Sequence, residues 1–351
     1  MEALNYIKEN NFISLLAGKF LRSPLQINKL HQSDAELIRI PGSNSVLAVT
    51  TDNIVEEIES GLYKDPCLIG WMSVAVNISD ISAVGALPLG LLMNESLLPS
   101  MDKDYLAELK RGIDDACRAA GTYVLGGDTN YSSEFQIGAC ALGIINDGKV
   151  ISRMGGKPED LIFSSGYLGF GNAFAFSNFS ADNGDLMFPF KPVPRIKEGS
   201  LIRRYASCCI DTSDGFIAAA DQLMRLNNYG ISIEKQCFEF MHPLAMQLCK
   251  HVGFPEWLLL AGIHGEFELV FAIPQEIVKS FLSEARAVDW EPFFLGKITS
   301  NNDLKINIDN NSYIVDSGKI RNLFEESNSE IKKYISGLLG IHRTLVLTNR
   351  K

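Results

Sequence analysis

Residues Ser207–Phe216 read SCCIDTSDGF: a short apolar run breaks at two aspartates three residues apart, with a serine between them and a glycine behind. Such a run suits a buried strand, and Gly215 followed by apolar residues at helical spacing suits the turn into a helix. One N-cap needs one side chain, so a second carboxylate at a single helix start asks for another task. Asp214 is read as the cap and Asp211 as a cation ligand, because hard divalent cations take oxygen donors, and Mg2+ combines a few carboxylates with waters and phosphates.

The same signature recurs upstream. SVLAVT (45–50) is a β-favouring run that ends near Asp52. In DPCLIGWMSVAVNISDISAVGALP (65–88), Pro66 opens a helix, Leu68, Met72, Ala75, Val76 and Ser79 recur at helical spacing, and Gly85 and Pro88 close it. Asn77 and Asp80 then share a face. A strand near 89–93, a helix over 102–120 closed by Gly121, and strands at VLGGDT (124–129) and FQIGACALGII (135–145) complete the order β-α-β-α-β-β, a ferredoxin-like α/β layer. The turn NDGK (146–149) marks the boundary to a second set of elements: strands at DLIFSSG (160–166), SCCI, near Ile231, at FELVFAI (267–273), and near Phe294 and Leu304, with a helix near Ser329. The predicted fold class is α+β with two domains, residues 1–148 and 149–325, followed by a C-terminal helix and polar tail over 326–351.

Composition narrows the function. The chain has 351 residues, 46% hydrophobic and 21% charged, with a net charge of −10, which speaks against a nucleic-acid partner held by its phosphate backbone. Seven cysteines without a C-x-x-C fit neither a disulfide framework nor a zinc site, so a reducing cytoplasm is expected. Neither a signal-like start nor an apolar run of 18 residues is present, so no membrane partner is expected. GYLGFG (166–171) has the wrong spacing for a dinucleotide loop, and GGDTN lacks the G-K-[ST] ending of a P-loop. What remains is a set of isolated acids, Asp34, Asp52, Asp80, Asp128, Asp211 and Asp214. Beside Asp128, Gly126 and Gly127 let the backbone approach a ligand and Thr129 adds an oxygen, although a tight turn explains those glycines equally well.

The segments HQSDAELI (31–38), VTTDNIV (49–55), VNISDISAVGALP (76–88), VLGGDT, ISRMGGKPED (151–160), PVPRIKEG (192–199), IDTSDG (210–215) and GIHGEFELVF (262–271) follow in the order and spacing of thiamine-monophosphate kinases. The resemblance runs from about Ser33 to Ile273 and extends to the wider aminoimidazole ribonucleotide (AIR) synthetase superfamily. It implies an AIR synthetase N-terminal type domain that dimerises, a C-terminal type domain, ATP and Mg2+ as cofactors, and a homodimer acting on a small-molecule acceptor. The family's magnesium ligands fall on Asp34, Asp52, Asp80, Asp128, Asp211 and Asp214 with Thr50 and Thr51 beside them, and Asp128, Asp211 and Asp214 carry the catalytic expectation. Nucleotide contacts fall on Gly126, Gly127, Thr129, Arg153 and Ser213. The acceptor half departs from the family. Glu59 stands where a histidine meets the substrate, and Gly265 replaces an acid that contacts thiamine, with His264 and Glu266 flanking it; in the metal half, one of two neighbouring acids is lost at Gln32, Ser33 and Asp34. The implied activity is a kinase-like phosphotransferase with a rewritten acceptor pocket; the alternatives are an ATP-dependent synthetase and a non-catalytic nucleotide-binding homologue. The first cysteine, Cys67, comes too late for selenophosphate chemistry, and the tail RTLVLTNRK has no terminal cysteine for carbamoyl dehydration.

Overall fold

A computed structural model describes residues 2–179 and 186–348. The first half builds a five-stranded sheet from β1 (Glu36–Arg39), β2 (Val46–Asn53), β3 (Leu87–Leu97), β4 (Val124–Tyr131) and β5 (Gln136–Ile145), in the lateral order β1-β2-β5-β3-β4. Only β3 and β4 pair in parallel, joined by helix Lys103–Ala120 as the crossover. Helix Pro66–Ala83 starts where Asp65 accepts the Leu68 N–H at 3.0 Å, and Lys103–Ala120 starts where Asp102 accepts that of Tyr105 at 2.7 Å. The two helices cross at glycines. A Cβ on Gly70 would lie 2.0 Å from the Leu109 carbonyl oxygen, and one on Gly112 2.0 Å from that of Cys67. Helix Pro66–Ala83 is buried almost all round because helix Ile196–Tyr205 of the second half packs on it as well.

The second half builds a seven-stranded sheet from β6 (Leu161–Ser164), β7 (Cys208–Asp211), β8 (Gly230–Gln236), β9 (Leu269–Ile273), β10 (Phe293–Thr299), β11 (Leu304–Ile308) and β12 (Asn311–Val315), in the order β12-β11-β8-β10-β6-β9-β7. Strands β7 and β9 are buried at every residue, which is why they read as unbroken apolar runs rather than alternating ones. The α+β class is the one expected.

Several elements differ from the sequence reading. Strand β1 and the helices Lys8–Ala17, Pro243–Val252 and Val278–Ala287 add to it. Strand β2 runs on through Asp52, so this aspartate belongs to the strand. Asp214 does not cap its helix: Gly215 holds the N-cap position of Phe216–Asn227, with no side-chain cap. The helix expected near Ser329 is present and runs from Ile331 to Thr348, into the stretch read as tail, because Tyr334 and Leu338 pack into the second core, Tyr334 donates to the Ala261 carbonyl at 3.1 Å and Trp257 donates to His342 at 3.0 Å. Among the described residues, no helix is long and apolar enough to cross a membrane.

Candidate active site

Three carboxylates meet where the two halves touch: Asp34, Asp80 and Asp211 each place an oxygen within 4.8 Å of the others. The local folding that brings them there is simple. Alternation along β2 puts Thr50 and Asp52 on the face of the buried Val46 and Ala48, under helix Pro66–Ala83, which carries Asp80. Thr50 Oγ1 donates to Asp80 Oδ2 at 2.5 Å, and Asn77 accepts the Asp52 N–H at 2.9 Å. Strand β7 delivers Asp211 as its last residue; Ser79 Oγ donates to its Oδ2 at 2.6 Å and Ser213 Oγ to its Oδ1 at 3.0 Å. Arg153 donates to Asp34 Oδ1 at 3.0 Å through Nη2 and at 3.3 Å through Nε, while the Asn227 side chain holds the Arg153 carbonyl at 2.8 Å.

The Asp34 side chain has no solvent exposure, and its second oxygen, Oδ2, has no hydrogen-bond partner among the described residues. The hydroxyl of Ser33 beside it is likewise buried and without a partner among them. Buried polar atoms are rarely left unpaired, and crowded carboxylates with spare oxygens are the donor set that a hard divalent cation takes. The electrostatics agree. Burial first, then Asp52, Asp211 and Asp34, push the Asp80 carboxyl well above its ordinary range. Burial and then Asp34 push Asp211 up to about 6. Arg153 stays charged because Asp34, Asp211 and Asp80 outweigh its own burial.

Other singled-out residues lie elsewhere. Across the sheet, Asp52 pairs with Ala139, Ala139 with Met93 and Met93 with Gly127, so β4 stands three strand spacings away, about 14 Å. Asp128 pairs with Asn94 on the face opposite the helices, where it is exposed, and among the described residues it accepts only from Asn130 Nδ2, at 2.7 Å. Gly126 and Gly127 lie in this exposed strand, and Thr129 donates to Glu95 at 3.0 Å. Thr51 spends its hydroxyl on the Ala139 carbonyl at 3.0 Å. Within one chain, therefore, Asp128 does not join the carboxylate cluster.

Glu59 is exposed at the end of a short, half-buried helix, Val55–Glu59. His264 and Glu266 are buried with their polar atoms engaged inside the protein. His264 Nδ1 donates to the Gly171 carbonyl at 3.1 Å, which leaves Nε2 to accept from the Tyr63 hydroxyl at 2.7 Å; burial lowers this imidazole to about 4, so it is neutral. Glu266 accepts the Gly169 N–H at 2.8 Å and the Thr212 hydroxyl at 3.1 Å, and burial pushes it up to about 8. A Cβ on Gly265 would fall 1.4 Å from the Thr212 carbonyl oxygen, so no side chain fits there. Glu268, in the same segment, forms a two-point ion pair with Arg195, at 2.5 and 2.7 Å, that ties the residue before β9 to the start of helix Ile196–Tyr205.

Asp214 stands outside the cluster and, exposed, lines a cavity of about 490 Å3 between the halves. Sequence reasoning missed this cavity, because its walls come from helix Lys8–Ala17, residues 56–62, helix Phe170–Phe179, residues 254–264 and the two C-terminal helices. No local pattern links those segments.

Residues 32–145 match the family described as AIR synthase related protein, N-terminal domain, and that match sets the class. Within that class the chain belongs to the thiamine-monophosphate kinase family and is a kinase-like enzyme. It is 32% identical over 248 residues to the thiamine-monophosphate kinase of Methanospirillum hungatei JF-1, covering 70% of this chain and 81% of the relative. With the enzyme of Escherichia coli K12 it shares 29% over 275 residues, 75% of this chain and 82% of that one. The fold is also similar to the solved structure of AaThiL complexed with AMPPCP and TMP, with a TM-score of 0.70 at 21% identity over 86% of this chain and 92% of the other.

Proposed function

We propose that this chain is an ATP- and Mg2+-dependent phosphotransferase, working as a homodimer, whose acceptor is a small molecule other than thiamine monophosphate. The observation that carries the metal and nucleotide reading is the unpaired Asp34 Oδ2 beside Asp80 and Asp211. Those three carboxylates would hold Mg2+, with Asp52 and the Ser33 hydroxyl at the margin. A bound Mg2+ would neutralise charge on the transferring phosphoryl group. The chain's own residues do the positioning: Arg153 fixes Asp34, Ser79 and Ser213 fix Asp211, and Thr50 fixes Asp80. ATP enters the proposal through the kinase relatives and the AMPPCP complex. Since Asp34, Asp52 and Asp80 come from residues 1–148 and Arg153 and Asp211 from 149–325, the nucleotide is proposed to lie at the junction of these two domains, with 326–351 appended behind.

The different acceptor is supported by four positions. Glu59 brings a negative charge where the family places a histidine, no side chain fits at Gly265, and His264 and Glu266 have no polar atom to spare. The homodimer is supported by the helix-free face of the five-stranded sheet, where Leu89, Leu92 and Leu125 are exposed around Asp128. The test joins calorimetry to an ADP-release assay. Asp80→Asn is expected to weaken Mg·ATP tenfold or more, about 1.4 kcal/mol, and thiamine monophosphate to release no more ADP than buffer. Unchanged affinity would overturn the metal assignment; brisk turnover of thiamine monophosphate would overturn the acceptor reading.

A further inference from the structure

Arg153 meets Asp34 one-sidedly. Its Nη2 and Nε both donate to the same oxygen, Oδ1, at 3.0 and 3.3 Å, and Oδ2 is left without a partner among the described residues. A guanidinium facing a carboxylate commonly forks instead, with one nitrogen on each oxygen. A small advance of Arg153 along Asp34 would make that fork and close the oxygen that a cation needs. Whatever holds Arg153 in place therefore decides whether the site is open.

No helix or ladder does so, because Arg153 stands in irregular backbone between β5 and β6. On one side the Cys209 N–H donates to the Ser152 carbonyl at 3.0 Å, and the Arg153 N–H to the Gln32 carbonyl at 2.9 Å. On the other side the Asn227 side chain spans the bend. Its Nδ2 donates to the Arg153 carbonyl at 2.8 Å and its Oδ1 accepts the Gly155 N–H at 2.9 Å, a double hold that uses the donor and the acceptor which a primary amide carries side by side. Nδ2 also donates to the Leu223 carbonyl at 2.8 Å, which seats the amide on its own helix. That helix, Phe216–Asn227, follows Asp211 after one short loop and packs back on β7. One strand–turn–helix unit thus carries Asp211 at its turn and grips the Arg153 segment at its far end.

We infer that Asn227 is a positioning residue of the cation site: by fixing the backbone on the C-terminal side of Arg153, it keeps the guanidinium on Asp34 Oδ1 and leaves Oδ2 open. The inference rests on the metal reading above. Asn227 is half-buried, and none of these hydrogen bonds goes to Asp34, Asp80 or Asp211, so its effect passes through Arg153. Without the amide, residues 153–155 lose both bonds, Arg153 settles into the fork, and an arriving cation has to break it.

Titration of the cation-free, full-length protein with Mn2+, read by electron paramagnetic resonance of the unbound ion, tests this without nucleotide or turnover. Asn227→Ala is expected to weaken Mn2+ about tenfold, within the range found for outer partners of metal ligands. Asn227→Ser is the milder change; its hydroxyl can replace one of the two bonds, and a loss of about threefold is expected, the scale of one neutral hydrogen bond. Lysine keeps the charge but cannot fork a carboxylate. In an Arg153→Lys background both changes should therefore cost less than about twofold, whereas a general loosening of the fold would add its full effect there too. Unchanged Mn2+ binding in both variants, or equal losses in the two backgrounds, would overturn the inference alone. A wild type that binds no Mn2+ at millimolar concentration would overturn the metal reading and the inference with it, so the two failures are told apart.

Discussion

The dipeptide Asp-Thr stands at 128–129 and again at 211–212, in opposite surroundings. Asp211 closes a strand buried at every residue and takes hydrogen bonds from Ser79 and Ser213, while Thr212 exchanges bonds with Glu266 and Glu268. Asp128 sits in a strand exposed at every residue and takes one bond, from Asn130. The chemistry of the two residues is the same; only Asp211 is held in advance of any ligand. A carboxylate fixed by its neighbours needs no reorganisation when a cation arrives, whereas one on a bare strand depends on whatever comes to cover it.

The largest expected effect lies on the bare strand. Leu92, exposed beside Asp128 on the open face, is the residue to change: Leu92→Glu should turn the proposed dimer into a monomer, read as a halved mass in light scattering. A dimeric Leu92→Glu, or a wild type that is monomeric at every concentration, would mean that something else covers this face.

Next comes the pair of aspartates itself. Asp211→Asn should weaken Mg·ATP by about a hundredfold, roughly 2.8 kcal/mol, and Asp128→Asn by about tenfold. The contrast sharpens in the Leu92→Glu background, where Asp211→Asn should keep its effect and Asp128→Asn lose it. Equal losses in both backgrounds would show that Asp128 is part of a site complete within one chain.

The smallest effect concerns pH. The folded protein holds Asp211 up to about 6, above the ordinary 3.8 of an unfolded chain. Between those values the folded state binds protons that the unfolded state has released, so stability of the cation-free protein falls as pH rises through this window. Above it the clustered charges repel in full, and Mg2+ relieves them. The melting temperature should therefore gain a few degrees from Mg2+ at pH 8, for about 1 to 2 kcal/mol, and little at pH 5. Scanning fluorimetry at the two pH values measures it; equal gains would detach the cluster from the metal.

Much of the local structure was legible without coordinates. Pro66 announces one helix, Asp102 and Gly121 bracket another, and the apolar runs at 208–210 and 269–273 announce strands, because capping and periodicity act between residues a few positions apart. The aspartates that end such runs could be named as candidates for the same reason. The sequence by itself determined the elements and the chemical character of each candidate. Tertiary structure decided which candidates meet: that Asp34 is sealed in with one oxygen unpaired, that Asp128 points away from the others, that Gly265 has no room for a side chain, and that acids at positions 9, 57, 214 and 325 share one cavity. Burial, repulsion and shape are properties of neighbours in space, and these neighbours are up to hundreds of residues apart along the chain.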